Sequence, residues 1–445
     1  MDFVHSKGWE HDPKTALPLE TWPEGVTTPE EHTALIQSAV DPGSDPSVGA
    51  ILGFPLNPPQ DRKPTLEAVE EVYGLSVIRD IPFSSWHSDA TVRSLVERMA
   101  HHKGIAMMNG LRQDTGDTSG ILPGQDKTFP GPFVSQFLMH DVPAGPYVIE
   151  RLVRTQANYG AKRPEAAAMF SGELVEHRPN GPFLHVAETP RSLGRAIEND
   201  YPGQHWVHAW LILMNKFKLR AQGHPDAELA QVDWCDGGIG NLQKILFDCI
   251  DAAMRVTWQA GKWHHKHIRP APFGAYLDNE VASGPLKHYL ELEFVKLSRQ
   301  QTGNFLLPVA TRGGEPNHGE FPPGHDTCEG VGSTLTRSFF DPNDDTPWPD
   351  HVRVAATDPA GTMTIGSEAL KQADNLGAAR RMLGVHWNYS SVAGRAVGEK
   401  ITRLYLAANG YNVPAPVWEP LWLDTIERLG LPTTMHAGPS SDEEE

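Results

Sequence analysis

The sequence predicts a mainly α-helical fold, built as a bundle, with room for one small β-hairpin. Three observations carry this. Residues 239 to 258 repeat Ile239, Leu242, Ile245, Leu246, Cys249, Ile250, Ala253, Met254 and Thr257 at spacings of three and four, the period of a helix with one buried face. Residues 203 to 220 are apolar over much of their circumference, as in a helix buried on most sides. Strand-like alternation is sparse, and only GELVEHRP and FLHVAET near 172 to 188 offer enough for a hairpin.

In chain order, residues 1–60 are rich in Pro and polar side chains (LPLETWPEG, DPGSDPS, FPLNPPQDRKP) and predict an extended N-terminal arm that wraps a body or a partner. Residues 61–435 predict a single helical domain. Within it, residues 90 to 102 set Val92, Leu95, Val96 and Met99 on one helix face. Lys262 and Arg269 are seven residues apart, within roughly 20° of two full turns, so one helix would carry both on one face. Pro270 and Pro272 would then stop that helix. Pro322-Pro323-Gly324-His325 predicts a helix start, where free N–H groups bind oxyanions. Gly330, Gly332 and Ser333 beyond it permit close helix contacts. Gly384 breaks the chain between Arg380 and His386, so Arg380 ends one helix and His386 lies near the start of the next, capped by Asn388 or Ser390. The acidic tail 436–445, ending GPSSDEEE, predicts disordered solvating sequence.

Bulk properties narrow the function. A net charge of −18 over 445 residues argues against sequence-independent nucleic-acid binding, and any cationic site must build its potential locally. Three cysteines, Cys235, Cys249 and Cys328, without CxxC spacing predict neither a disulfide framework nor a zinc site. The N-terminus shows no signal peptide, and no apolar run reaches the length of about 18 residues that spans a bilayer. The expectation is a soluble protein, cytoplasmic by default, with no membrane partner.

Three distant stretches carry chemistry: KWHHKHIRP at 262 to 270, PNHGEFPPGH at 316 to 325 and RRMLGVHW at 380 to 387. They offer Lys262, Arg269 and Arg380 as cations, Gly324 for close backbone approach, and His325 and His386 as imidazoles, which together suit a buried oxyanion. Taken singly, Lys262 and Arg269 also fit a solvated basic face. His264, His265 and His267 have no i, i+4 pair and no HExxH, so packing or surface roles suit them better than a metal site.

Taken in order, K-x6-RP, PxGH and R-x5-H resemble the vanadium-dependent haloperoxidases and the acid phosphatases that share their fold. KW followed by HIRP, LLPVA upstream of the second stretch, GPFVSQFL at 131 to 138, and His318 seven residues before His325 resemble the algal and bacterial bromoperoxidase branch. The similarity spans roughly residues 130 to 410. It implies a helical bundle of that superfamily and a vanadate cofactor with His386 as the single protein ligand to vanadium. Lys262, Arg269, Gly324 and Arg380 would hold the vanadate oxygens. His325 would take a proton when hydrogen peroxide binds, Lys262 would polarise the bound peroxide, and His318 would line the halide side. The implied activity is oxidation of bromide or iodide to hypohalous acid, which halogenates organic acceptors, in a homo-oligomer. A phosphatase on the same scaffold, with His386 as phosphoryl acceptor, and a non-catalytic relative stand as alternatives. Two positions depart from the pattern: Pro323 stands where Ser is usual, and Ser390 where Asp is often found. The resemblance to algal relatives also implies a calcium loop at Asp341, Asp344 and Asp345, although the spacing does not match an EF-hand and equally fits a solvated loop.

Overall fold

The computed structural model describes residues 52–59, 63–86, 88–101, 133–171, 175–198, 200–217, 221, 238–262, 265–279, 284–316, 318–345 and 363–433. Helix α1 (Leu66–Ile78) starts at Thr65, whose hydroxyl accepts from the Ala68 N–H. Helix α2 (Ala90–His101) buries Val92, Leu95, Val96 and Met99, as their spacing predicts. Helix α3 (Gln136–Met139), capped by Ser135, leads into β1 (Val142–Ala144) and β2 (Tyr147–Ile149), an antiparallel pair turning at Gly145. Then come β3 (Leu152–Arg154), α4 (Arg163–Phe170), β4 (Phe183–His185) and α5 (Pro190–Ala196).

The hairpin expected within 172 to 188 takes a different form. FLH becomes β4, but its antiparallel partner is β3, with Leu152 opposite His185 and Arg154 opposite Phe183. Residues 175–180 form no strand. Arg178 is drawn to Glu165 at 2.7 Å and lies over the Tyr159 ring, and Pro179 and Pro182 lack the N–H a ladder needs. Residues 172–174 lie outside the described residues.

Helix α6 (Gln204–Leu211) widens into a π-type turn over Ile212–Lys216, so it is shorter than the helix expected over 203 to 220. Polar groups end it: Asn215 reaches the Pro143 carbonyl and Lys216 reaches His140. Helix α7 (Ile239–Val256) buries Leu242, Ile245, Leu246, Cys249, Ile250 and Ala253 on the expected face and also runs into a π-type turn, Thr257–Lys262. Helices α8 (Pro270–Asn279), α9 (Lys287–Leu290), α10 (Glu293–Thr302), α11 (Gly324–Phe339), α12 (Ile365–Leu383), α13 (Asn388–Ala408) and α14 (Trp418–Leu429) complete the bundle.

At its centre α11 packs on both α12 and α13, and all three are buried around most of their circumference. Small residues make this possible. A Cβ on Gly330 would sit 2.1 Å from the Arg395 carbonyl oxygen, and one on Gly398 2.0 Å from that of Thr327, so the α11 and α13 backbones touch. Two of the charges buried with them are satisfied: Arg395 Nη1 lies 2.8 Å from Asp374, and Glu399 accepts the N–H groups of Val417, Trp418 and Glu419 at the start of α14. One hydrophobic cluster runs from Leu52 to Leu431.

The end of the predicted arm belongs to this body. Leu52, Phe54 and Leu56 are buried, the Pro55 carbonyl accepts from Trp422 Nε1 at 2.6 Å, and that of Leu56 lies 2.7 Å from His265 Nε2. The rest of the arm (1–51 and 60) and the acidic tail lie outside the described residues. Among the described residues, no helix is long and apolar enough to cross a membrane.

Candidate active site

Lys262 and Arg269 do not share a helix face. The π-type turn ends on Lys262, Lys266 reverses the chain with a φ of 46°, and Arg269 is the last residue before α8. Pro270 and Pro272 therefore open α8 instead of stopping a helix, which Pro tolerates because first-turn N–H groups have no intrahelical partner. The two cations still converge, because both grip the 316-to-325 stretch. Lys262 Nζ donates to the Gly319 and Glu320 carbonyls at 3.2 Å each. Arg269 donates to the His318 carbonyl (Nε, 2.9 Å) and the Val385 carbonyl (Nη1, 2.9 Å). A Cβ on Gly319 would lie 2.7 Å from the Lys262 carbonyl oxygen, so glycine is needed for this approach.

The second stretch forms the expected helix start: Pro323 is the N-cap of α11 and His325 sits in its first turn. In the third, Arg380 lies in the last turn of α12, Gly384 adopts the left-handed conformation (φ 88°), and His386 directly precedes the N-cap of α13. That N-cap is Trp387, not Asn388 or Ser390. Its N–H is taken by Glu320 Oε1 at 3.1 Å, which also receives the Ser390 hydroxyl at 2.5 Å, so a carboxylate from another segment does the capping. Of the remaining histidines, His265 and His267 are buried, and His267 Nε2 lies 2.6 Å from the Tyr389 hydroxyl. His264 lies outside the described residues.

Lys262, Arg269, His318, Gly324, His325, Arg380 and His386 all line one cavity of about 210 Å³. No carboxylate among the described residues forms an ion pair with Lys262, Arg269 or Arg380. Arg380 is buried, and its Nε has no hydrogen-bond partner. Burial and the neighbouring Arg269 hold Lys262 well below the usual lysine range. Burial, with Arg269, Arg380 and Lys262, holds the His386 imidazole far below the usual histidine range and therefore neutral. Burial, with Lys262 and Arg269, pushes His318 down to about 3, and its ring lies 4.7 Å from that of Trp258. Three buried cations that form no ion pair among the described residues, beside a neutral imidazole and the amides of a helix start, make a donor set that fits a tetrahedral oxyanion with a central atom an imidazole can bind.

Two residues at this site escaped the sequence reading. Asp200 is buried and sets Oδ1 3.0 Å from His325 Nε2, leaving Nδ1 as the other nitrogen of that ring. It lies in an irregular loop before α6, where no periodicity marks it. Glu320 sets Oε1 2.8 Å from His386 Nδ1, and burial pushes this carboxyl up to about 7 against the Ser390 hydroxyl and Arg269. The one signal for it was Ser390 standing where a carboxylate is often found. The position of Pro323 carries no hydroxyl, and among the described residues none of the cavity-lining side chains supplies one.

Nothing among the described residues supports the calcium loop. Asp341 Oδ1 accepts the Asn343 N–H at 2.9 Å, and the Asp344 carbonyl accepts from Ile365 N, a turn and a junction with α12. Among the described residues no group of three His, Cys, Asp or Glu side chains gathers as metal ligands, and residues 346–362 lie outside them.

The fold is a mainly helical bundle that gathers buried cations and imidazoles on one cavity. A family model described as the VCPO second helical-bundle domain matches residues 249–411. A vanadium-dependent bromoperoxidase from Corallina pilulifera is 30% identical over 425 residues, covering 75% of this chain and 68% of that one. Another from Ascophyllum nodosum is 25% identical over 383 residues, covering 76% and 68%. The solved homohexameric second vanadate-dependent bromoperoxidase of Ascophyllum nodosum shares the fold, with a TM-score of 0.59 at 20% identity over 86% of this chain and 77% of that one. The chain belongs to the vanadium-dependent haloperoxidase family.

Proposed function

We propose that this protein binds vanadate and uses hydrogen peroxide to oxidise bromide or iodide to hypohalous acid, which halogenates electron-rich organic acceptors. The observation that carries this reading is the convergence on one cavity of a neutral His386 with Lys262, Arg269 and Arg380, none of which is ion-paired to a carboxylate among the described residues. When bound there, vanadate supplies a Lewis-acid centre that activates peroxide. His386 would hold it through Nε2. Lys262, Arg269, Arg380 and the Gly324 N–H would neutralise its oxygens, with the planar guanidinium forks donating to two at once. Asp200, 3.0 Å from His325 Nε2, favours a proton on that nitrogen, and His325 Nδ1 would then be the base that takes a proton when peroxide enters. His318, kept neutral and packed on Trp258, would form the halide wall without adding an acidic donor.

The test is reconstitution with orthovanadate, followed by bromination of a phenolic dye with peroxide, beside hydrolysis of an aryl phosphate. Vanadate-dependent bromination is expected. Phosphate-ester hydrolysis without it would assign the cradle to phosphoryl transfer, because phosphate and vanadate fit the same donors. The related Ascophyllum nodosum enzyme is homohexameric. We extend self-association to this chain, and light scattering on the full-length protein should return a mass of several copies.

A further inference from the structure

The carboxylate behind the His386 ring comes from a different segment than the ring itself. Glu320 is fully buried, yet its Oε1 collects three donors: His386 Nδ1 at 2.8 Å, the Trp387 N–H at 3.1 Å and the Ser390 hydroxyl at 2.5 Å. Its carbonyl oxygen accepts from Lys262 Nζ at 3.2 Å. One residue thereby joins an imidazole, the start of α13 and a cation of the cradle. Burying a carboxylate is costly unless its oxygens are satisfied, and here all three donors go to one oxygen while Oε2 has none. That asymmetry concentrates the acceptor on the side of the ring.

We propose that Glu320 is the positioning residue of His386: it keeps the ring proton on Nδ1, fixes the ring plane, and so leaves Nε2 as the only nitrogen able to bind a ligand. This rests on the vanadate-binding reading above. An imidazole binds a metal centre only through an unprotonated nitrogen, and the hydrogen bond at the other nitrogen decides which one that is. Ser390 does not replace Glu320, because its hydroxyl faces the carboxylate and the Trp387 carbonyl (2.7 Å), not the ring. Its position is nevertheless informative. Ser390 Oγ lies 2.5 Å from Oε1, so a carboxylate grown from residue 390 reaches the place that Oε1 now fills.

Relocation therefore tests the idea. The ring nitrogens of His386 are read by 15N-edited NMR on the vanadate-free full-length protein, and the affinity for orthovanadate is read by calorimetric titration. Glu320→Ser should replace the single Nδ1–H tautomer by a mixture and weaken orthovanadate binding by about 10- to 100-fold. Adding Ser390→Asp to Glu320→Ser should restore the tautomer and most of the affinity, which a merely structural role would not predict. Wild-type tautomer and affinity in Glu320→Ser would overturn the proposal. So would a folded double variant as weak as the single one. Where Glu320→Ser does not fold, Glu320→Gln carries the test: it keeps the shape and an acceptor oxygen but not the charge, so a loss of roughly 10-fold supports the proposal and an unaltered affinity overturns it. A wild-type protein that binds no orthovanadate defeats the proposed function, while the tautomer measurement, made without vanadate, still judges Glu320.

Discussion

Pro323→Ser should tighten vanadate binding. Pro323 has φ −71° and ψ 134°, a conformation open to any residue, and its carbonyl accepts from the Thr327 N–H at 3.1 Å and the Thr327 hydroxyl at 2.9 Å. None of these features depends on the pyrrolidine ring. As an N-cap, a serine can accept a first-turn N–H with a lone pair while its own O–H stays free to donate. One added hydrogen bond to a charged oxyanion is worth about 1.5 to 3 kcal/mol, or roughly 10- to 100-fold in Kd. The costs fall elsewhere. The new backbone N–H is buried, worth about 1 to 3 kcal/mol if unpaired, and the unfolded chain regains freedom worth about 0.4 to 1 kcal/mol. Both lower the Tm of the vanadate-free protein and leave the affinity of the folded protein untouched. Calorimetric titration with orthovanadate reads the first effect, and thermal unfolding without it reads the second. An affinity no tighter than wild type in a normally folded variant would refute the reasoning, because the oxyanion would then not lie against the start of α11.

Other expectations follow from the same geometry. Asp200→Asn should lower kcat for bromination by about 10-fold or more with little change in vanadate affinity, since it acts on His325 and not on the cradle; an equal loss in both would show that it holds the site together. Arg380→Lys should weaken orthovanadate and inorganic phosphate alike, by about 10-fold or more, because an ammonium cannot reproduce a planar fork; an unchanged affinity for both anions would remove Arg380 from the cradle. Burial, with Arg151 and against Asp200, holds His205 at about 4, so below its ordinary 6.5 the unfolded chain takes up a proton that the fold refuses. Stability should therefore fall as pH drops from 6.5 toward 4, by at most about 1.4 kcal/mol per pH unit from this group. Urea unfolding of His205→Gln should show a shallower acid slope in that window, and identical slopes would contradict the assignment.

What could be read from the chain was what repeats or breaks. Helices α2 and α7 were legible because one apolar face recurs every three to four residues, and the start of α11 because Pro-Pro-Gly has few other uses. Gly384 marked the corner between Arg380 and His386 for the same reason, since a left-handed residue there is cheap only for glycine. The misses share a cause. Pro270 breaks a helix that precedes it and suits one that follows, and spacing alone does not say which. Residue FLH at 183–185 was rightly extended, but its partner β3 lies some thirty residues upstream, beyond any local pattern. Asp200 and Glu320 sit in irregular segments, where an acidic side chain looks like solvated surface until the fold buries it against an imidazole.

The wide turn that ends α7 has a consequence for how this site tolerates change in length. Gly261 within it presses on Pro322, and Lys262 closes it. Dropping one amino acid between 257 and 261 would restore ordinary coiling, swing the ammonium roughly 100° around the axis, and leave every apolar contact upstream untouched. A lineage could thus lose the cradle's first cation by a three-nucleotide deletion while keeping a well-folded bundle, so the number of residues in that loop is as diagnostic of a working enzyme as the lysine itself.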